Sequence, residues 1–189
     1  MLQYYKDFDN RILWIDFEIS DNSINVVKAI HAWNHEDSDK SIPASERKPI
    51  IMMINSPGGN LYETFSIIDA IRMSETPVYT VAYGKAFSGA FMILIAGHKR
   101  YSMPHSFGMH HSLSAGMGGD LIKIKNAARQ FDLLEKKSCD LLYSTTKITK
   151  KVLSSKKADD WYMDASEMLN YGVIDAVIEN KEDYAKIFM

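Results

Sequence analysis

A serine flanked by small residues is the most chemically suggestive feature of this sequence. Ser88 follows an apolar, β-branched run over residues 78–83 and precedes an apolar segment over residues 91–97. The first run predicts a buried strand and the second a buried helix, so Ser88 is expected at a sharp strand-to-helix turn. The amide of Gly89 would then lie at a helix N-terminus, where it could bind a developing negative charge. The same pattern also fits a serine that caps the helix.

A serine becomes a good nucleophile only when a neighbouring base takes its proton and a third group orients that base. His110 and His111 end a short apolar segment that follows Ser88 in the chain. Functional groups gather at strand ends on one edge of a parallel sheet, and side chains alternate along a strand, so one of the two could face the serine. The other histidines are expected in a helix or in loops, namely His31, His35, His98 and His105.

The orienting acid is not determined by spacing alone, because several aspartates follow the histidines. Asp159 and Asp160 directly precede a short aromatic, strand-like segment over residues 161–163. A carboxylate in that position would lie at the mouth of a buried element and be partly removed from water, which suits an orienting role. A solvated turn explains the same residues equally well.

A glycine pair before the serine suggests where an oxyanion could be stabilised. Gly58 and Gly59 stand between a predicted strand and a predicted helix, and without a Cβ their backbone can approach another group closely. The amides of Gly59 and Gly89 together could polarise a carbonyl that Ser88 attacks, a contribution of about 3 kcal/mol per donor. A plain tight turn explains the glycines, but not their pairing with the serine turn.

The elements that must position these residues alternate between strand and helix. Apolar runs predict strands near residues 11–19, 50–54, 78–83, 99–103 and 173–178, with helical patterns between them. Repeated units of this length indicate an α/β fold, in which helices cover a largely parallel sheet.

Two other segments define the expected outline of the domain. The longest helical pattern covers residues 120–146, and a helix of about 25 residues would span nearly 40 Å, so part of it is expected to project and meet another subunit. The polar stretch over residues 36–49 is expected to be a mobile surface loop. Residues 1–189 are therefore predicted to form one domain, with residues 112–146 as a projecting handle region.

Composition limits the classes of partner. The chain has 189 residues, of which 46% are hydrophobic, and its formal net charge of −2 gives no electrostatic case for nucleic acid or an anionic membrane. Its one cysteine, Cys139, excludes an intrachain disulfide, and the N-terminus lacks the layout of a signal peptide. These features predict a protein of the reducing cytoplasm.

Taken together, the motifs resemble the proteolytic subunit of the Clp protease, a family of self-compartmentalising serine peptidases with a crotonase-like fold. The segments that carry the likeness occur in order between residues 10 and 178: INSPGG at 54–59, GKAFS at 84–88, MPHS at 103–106, MHH at 109–111 and YGVID at 171–175. The resemblance implies repeated strand-helix units with a long handle helix, in agreement with the α/β class.

The resemblance also implies roles for individual residues. Ser88 would be the nucleophile, His111 the general base and Asp160 the group that orients the imidazole. The amides of Gly59 and Gly89 would form the oxyanion hole. This chemistry implies no metal and no organic cofactor.

Further implications concern substrate and assembly. An unfolded polypeptide or peptide would lie extended along Gly58 and Gly59 by strand addition. The family forms rings of seven subunits, so a homo-oligomer is expected, with two rings stacked to enclose the sites. An AAA+ ATPase of the Clp type would deliver the substrate.

Several positions depart from the family pattern. Residues 88–91 read SGAF where the family usually has Ser-Met-Gly-Ala, and residues 36–49 resemble an insertion. The glycine-rich stretch over residues 112–119 is shorter than the family's handle strand. Ile51 and Met53 replace aromatic positions typical of the pocket where the ATPase docks. These departures suit a divergent member, such as a phage-encoded or accessory one.

Other functions remain open on the sequence alone. A catalytically silent ring subunit would keep the fold while modulating a partner protease. A crotonase-like acyl-CoA enzyme shares the strand-helix layout but would not need Ser88, and a Ser-Lys peptidase would not need His111. The order serine, histidine, aspartate disfavours an α/β-hydrolase, in which the acid precedes the histidine.

Overall fold

A sheet of apolar, mostly parallel strands forms the centre of the protein. The computed structural model describes residues 7–114, 116, 119–156 and 160–188. Within these ranges seven strands form one sheet: β1 (Ile12–Ile15), β2 (Ile50–Ser56), β3 (Val78–Phe87), β4 (Lys99–Ser102), β5 (Phe107–His110), β6 (Trp161–Asp164) and β7 (Ala176–Val177). The strands β1, β2, β3, β4 and β7 follow one another across the sheet in parallel pairs. β5 pairs in parallel with β3, and β6 pairs with β5 in the antiparallel direction.

Helices alternate with these strands along the chain and confirm the predicted α/β class. The described helices are α1 (Ile24–Asp39), α2 (Leu61–Met73), α3 (Gly89–Leu94), α4 (Leu121–Thr145), α5 (Lys150–Lys156), α6 (Ala165–Asn170) and α7 (Lys181–Phe188). Short 3-10 helices cover Asp21–Ser23 and Ala44–Glu46. None of the helices in the described ranges is both long enough and apolar enough to cross a bilayer.

β2 shows why the central strands are apolar at every position. Ile50, Met52 and Ile54 belong to the main core, which also contains residues of α1, α2 and α3. Ile51 and Met53 point the other way, as the alternation of a strand requires, and join a smaller apolar cluster against which α7 packs. Both faces of this strand are therefore covered, which is typical of parallel sheets.

β3 is longer than predicted and changes partner along its length. Its first half pairs with β4, from Tyr79 to Ala82, and its second half pairs with β5, from Lys85 to Phe87. The predicted strand ended at residue 83, because the glycine and the small residues that follow resemble a turn. The pairing with β5 keeps these residues extended, so the turn is confined to Ser88.

α4 begins and ends within one residue of the predicted helix. The side chain of Asp120 accepts a hydrogen bond from the backbone N–H of Lys123 at 2.9 Å and so caps its N-terminus. The buried residues of α4 lie in its second half, whereas Leu121 and Ile122 are 66% and 72% exposed. The first turns therefore project from the domain, as the handle prediction requires. Residues 115, 117 and 118 of the predicted handle region lie outside the described residues.

The prediction of a mobile loop over residues 36–49 is wrong at its start. α1 continues to Asp39, and Asp37 is fully buried. Two guanidinium nitrogens of Arg11 donate to the Asp37 carboxylate at 2.8 and 2.6 Å, and the hydroxyl of Thr76 donates to it at 2.7 Å. A polar residue that appeared solvated in the sequence thus joins the start of β1 to the helix and to the turn before β3.

The Arg11–Asp37 pair predicts a pH-dependent stability. Hydrogen bonds from Arg11 hold the pKa of Asp37 below its usual value, although burial acts in the opposite direction. Because the folded pKa is depressed, the stabilisation is present above the unfolded pKa of about 3.9 and is lost as the pH falls through the folded pKa. Asp37→Asn should lower the free energy of unfolding by about 3–5 kcal/mol at pH 7, since it removes the buried carboxylate that accepts two hydrogen bonds from the buried Arg11.

Urea unfolding at fixed protein concentration, repeated from pH 7 down to pH 3, would measure this difference. The gap between parent and Asp37→Asn should narrow at the acidic end, where the parent also loses the ion pair. Asp39→Asn, at an exposed position of the same helix, is the matched control and should change little. A gap that stays constant over the whole pH range would contradict the assigned role of the carboxylate charge.

Candidate active site

The backbone at Ser88, which is half-buried, adopts a strained conformation. Its φ of 55° and ψ of −121° lie in a region that residues other than glycine rarely adopt. The N–H of Ser88 donates to the carbonyl of Met109 at 2.8 Å, which ties the turn to β5. The Ser88 side chain makes no capping hydrogen bond to α3, so the helix-cap interpretation is not supported.

His111 is the histidine that lies beside Ser88. Its Nε2 lies 2.8 Å from Ser88 Oγ, within hydrogen-bonding distance. His111 directly follows the last residue of β5, and the preceding His110 is buried, with its ring 5.8 Å from that of Phe91. The two histidines therefore point in different directions, and the structure places His111 at the serine.

Asp160 is close to His111 in register but makes no hydrogen bond to it in the described part of the chain. β5 and β6 pair His110 with Trp161, and one further step along the same antiparallel ladder would place His111 opposite Asp160. Asp160 is exposed, however, and within the described ranges no hydrogen bond joins it to His111. Of the two interpretations that the sequence left open for Asp160, its exposure favours the solvated turn over the partly desolvated carboxylate, because β6 starts only at the next residue. Asp159 lies outside the described residues.

The turn at Gly58 packs directly against the serine turn. A Cβ on Gly58 would lie 2.5 Å from the carbonyl oxygen of Phe87 and 2.8 Å from the amide nitrogen of Gly89. The φ of Gly58 is +93°, which also favours glycine. The N–H of Gly58 donates to Ser56 Oγ at 3.1 Å, so this amide is already engaged.

The N–H and C=O groups of Gly59 are not used in the pairing with Ile19, which bonds to Gly58 and Asn60 instead. Ile19 donates its N–H to the carbonyl of Gly58 and accepts the N–H of Asn60, each at 2.8 Å. In a planar trans peptide the C=O and N–H point in opposite directions. The N–H and C=O of Gly59 therefore both point away from Ile19.

Gly89, a departure from the family pattern, is explained by a contact that sequence reasoning missed. A Cβ on Gly89 would lie 2.4 Å from the Oγ1 of Thr64 in α2. That hydroxyl donates to the carbonyl of Asn60 at 2.8 Å, and Thr64 is fully buried. The space that a side chain would need at residue 89 is thus occupied, and no local sequence signal links the two positions.

A cleft of about 260 Å³ opens beside the serine, between the start of α2 and the handle helix α4. Ser88 and His111 form one wall. Apolar side chains supply much of the remainder, namely Leu61, Leu113, Phe131 and Leu134. Two of these side chains come from α4, so the handle helix contributes to the cleft as well as projecting from the domain.

The arrangement is suited to acyl transfer by a serine. A hydroxyl, a hydrogen-bonded imidazole and two backbone amides near a cleft are the parts that such a reaction needs. Within the described ranges, no group of three or more His, Cys, Asp or Glu side chains is placed to hold a metal ion.

Comparison with known proteins shows the family of this chain. A family model described as Clp protease matches residues 2–181. The chain belongs to the Clp protease family. This membership confirms the predicted resemblance and the predicted fold, and it identifies the chain as a peptidase of the Clp type.

Individual relatives have similar levels of identity. The chain is 33% identical over 144 residues to the ATP-dependent Clp protease proteolytic subunit 2 of Treponema pallidum (strain Nichols), covering 75% of this chain and 72% of that protein. It is 31% identical over 172 residues to the ATP-dependent Clp protease proteolytic subunit of Porphyromonas gingivalis, covering 90% and 74% respectively. Subunit 3 of Rhodococcus jostii is 31% identical over 144 residues, covering 75% of this chain and 71% of that protein.

The contact between Gly89 and Thr64 predicts a coupled pair of substitutions. Gly89→Ala should lower the free energy of unfolding by about 1–3 kcal/mol, because its methyl group would collide with a β-branched side chain held by a hydrogen bond. Adding Thr64→Ala removes the obstructing hydroxyl, so the double variant should be more stable than the sum of the single effects predicts.

The free energies of unfolding of the parent, the two single variants and the double variant, measured by thermal unfolding, form a double-mutant cycle that tests this coupling. Ser66→Ala, on the same helix α2 with its hydroxyl bonded to the Tyr62 carbonyl, serves as the control partner for Gly89→Ala. That control pair should be additive. Additivity in the Gly89–Thr64 pair as well would refute the steric explanation.

Proposed function

We propose that this chain is a serine endopeptidase that hydrolyses unfolded polypeptides or peptides inside a ring-shaped oligomer. One observation carries the proposal: His111 Nε2 lies 2.8 Å from Ser88 Oγ, at a strained strand-to-helix turn. A serine held in this way beside a base is the arrangement that nucleophilic catalysis requires. Membership of the Clp protease family supports the same assignment.

The geometry supports a sequence of proton transfers. His111 Nε2 takes the hydroxyl proton as Ser88 Oγ bonds to the peptide carbonyl carbon, and the carbonyl oxygen becomes an oxyanion. Collapse of this intermediate breaks the C–N bond, and His111 returns the proton to the leaving amine. Water then repeats the two steps on the acyl-enzyme and releases the carboxylate product. The reaction requires no metal and no organic cofactor.

The amides of Gly59 and Gly89 are the proposed oxyanion donors. Gly89 is the first residue of α3, so its N–H has no acceptor within that helix. The Gly59 N–H points away from Ile19, and Gly58 packs against the serine turn. Backbone amides of this kind stabilise a developing oxyanion because they are already oriented before the reaction.

The exposed edge at Gly59 also fits an extended substrate. Because the C=O of Gly59 faces away from Ile19, it could pair with an incoming chain as an additional strand. Gly58 cannot take the pairing role predicted for it, because its N–H and C=O are already bonded to Ser56 and Ile19. Main-chain pairing does not depend on side-chain identity, which suits the degradation of many different unfolded chains.

Asp160 is the proposed orienting carboxylate. The register of β5 and β6 would place it opposite His111, where a rotation of its side chain could let it accept the Nδ1–H. The absence of a hydrogen bond to His111 among the described residues also favours a second candidate function, a catalytically silent ring subunit that modulates a partner protease. Labelling of the serine distinguishes the two functions.

The names of the relatives support the proposed assembly. They describe subunits of ATP-dependent proteases, which is consistent with rings of seven subunits, two of them stacked, and with an AAA+ ATPase partner. The exposed Leu121 and Ile122 on the projecting part of α4 are candidate contacts between subunits. A cytoplasmic location fits this proposal.

The central test combines labelling with activity. The parent should react with a fluorophosphonate at Ser88 and cleave fluorogenic peptides, and light scattering should show a particle of many subunits. Ser88→Ala should abolish labelling and lower kcat/KM by at least about 1,000-fold. Ser66→Ala should retain both activities. Labelling at another residue, or undiminished cleavage by Ser88→Ala, would overturn the proposal.

A separate test concerns Asp160. Asp160→Asn should lower kcat about 100- to 10,000-fold at pH 7, because the imidazole loses the carboxylate that orients it and stabilises its charged form. Asp69→Asn, an exposed aspartate on α2, is the matched control and should retain the parent's kcat. If the parent is active and Asp160→Asn has the same kcat, another group orients His111. If the parent is neither labelled by the fluorophosphonate nor active, the result favours the silent subunit instead.

A further inference from the structure

A small cavity with both apolar and polar lining residues adjoins the serine on the side of the handle helix, and Leu61, Met92 and Leu113 supply apolar parts of its wall. Its volume is about 30 Å³, and it shares Ser88, Gly89 and His111 with the larger cleft. Glu135 and Ser138 of α4 contribute to its remaining wall. A volume of this size accommodates one small polar group, such as the tip of a side chain.

Ser138 is unusual among the hydroxyl residues of α4. It is 6% exposed, and its Oγ has no hydrogen-bond partner within the described part of the chain. Ser144 and Thr145 on the same helix instead donate to the Leu141 carbonyl at 2.9 and 2.8 Å. A buried hydroxyl without a partner is unfavourable, so a ligand atom that hydrogen-bonds to it would bind with an advantage.

Glu135 lies about one helical turn before Ser138 and adds a carboxylate to the same wall. Its Oε2 accepts the backbone N–H of Leu113 at 3.1 Å, which holds the segment after His111 against α4. The small cavity therefore has hydrogen-bonding groups on its helix side. The larger cleft beside it is lined by apolar side chains such as Phe131 and Leu134.

We propose that this cavity is the floor of the pocket for the substrate side chain on the N-terminal side of the scissile bond, and that it selects glutamine. The inference rests on the proposed peptidase function. With the attacked carbon at Ser88 Oγ and its oxygen at the amides of Gly59 and Gly89, the Cβ of that residue lies two bonds from the attacked carbon, and its side chain can enter the cavity that Ser88 and Gly89 line.

Glutamine matches the pocket at both ends. Its apolar stem fits the leucine-rich cleft, and its amide can both donate to and accept from the hydroxyl of Ser138. Methionine has nearly the same length but offers no N–H or O–H donor. Glutamate has nearly the same shape as glutamine but would bring a negative charge towards the Glu135 carboxylate.

Three fluorogenic peptides that differ only at this residue test the proposal. The parent should cleave the glutamine peptide with a kcat/KM about tenfold above that of the methionine peptide, as one additional hydrogen bond predicts. The glutamate peptide should be slower than the glutamine peptide by about 100-fold or more. Ser138→Ala should bring the ratio of glutamine to methionine to about one, whereas Ser144→Ala should leave it at the parent's value.

Glu135→Gln examines the charge separately, because the amide oxygen can still accept the N–H of Leu113. It should raise kcat/KM for the glutamate peptide selectively. Fluorophosphonate labelling of Ser88 in every variant reports whether the nucleophile is intact. Cleavage without a preference for glutamine, or a preference that survives Ser138→Ala, would overturn the pocket assignment alone. A parent that is neither labelled nor active would overturn the proposed function and the pocket with it.

Discussion

The site depends on how closely two stretches of backbone approach each other. The turn at Gly58 lies so near the serine turn that a single Cβ would come within 2.5 Å of the Phe87 carbonyl oxygen. At Gly59 a Cβ would come within 2.2 Å of the Ile19 carbonyl oxygen. Any side chain at either position would therefore separate the proposed oxyanion donor from the nucleophile. The two glycines are needed for close packing, because without side chains one short turn can contact both the serine turn and the backbone of Ile19.

The change of partner along β3 brings the serine and the histidine together. β3 leaves β4 and continues beside β5, so the ends of β3 and β5 lie next to each other. The hydrogen bond from the Ser88 N–H to the Met109 carbonyl continues this pairing beyond the last strand residue. Ser88 and His111 thus meet through main-chain register, which parallel pairing maintains without any specific side chain.

The handle helix α4 has an anchored C-terminal end and an exposed N-terminal end, and its middle lies beside the cleft. Its C-terminal end is anchored, since Arg100 donates to the carbonyls of Thr145 and Gly172 at 2.6 and 2.9 Å. Its N-terminal turns are exposed, and the residues that face the cleft lie between these two parts. A contact made by the projecting turns would act on a helix that also lines the cleft, so the proposed assembly and the proposed substrate selection would share one element.

The sequence alone determined the features that depend on neighbouring residues. The period of the apolar positions predicted the α/β class, and local turn and cap chemistry located Ser88, Gly58 and the start of α4 at Asp120. These features follow from backbone preferences that act over a few residues, so they can be recognised without knowledge of the fold. The family motifs added the assignment of His111, which local patterns had left undecided between two histidines.

Only the tertiary structure decided which distant side chains meet. It buried Asp37 against Arg11, occupied the space beside Gly89 with Thr64, left Asp160 exposed and placed Ser138 in the wall of a cavity beside the serine. Such contacts depend on strand register and helix packing, which join residues far apart in the chain. A polar residue in a sequence therefore does not reveal whether its partner is water, an ion pair or a substrate.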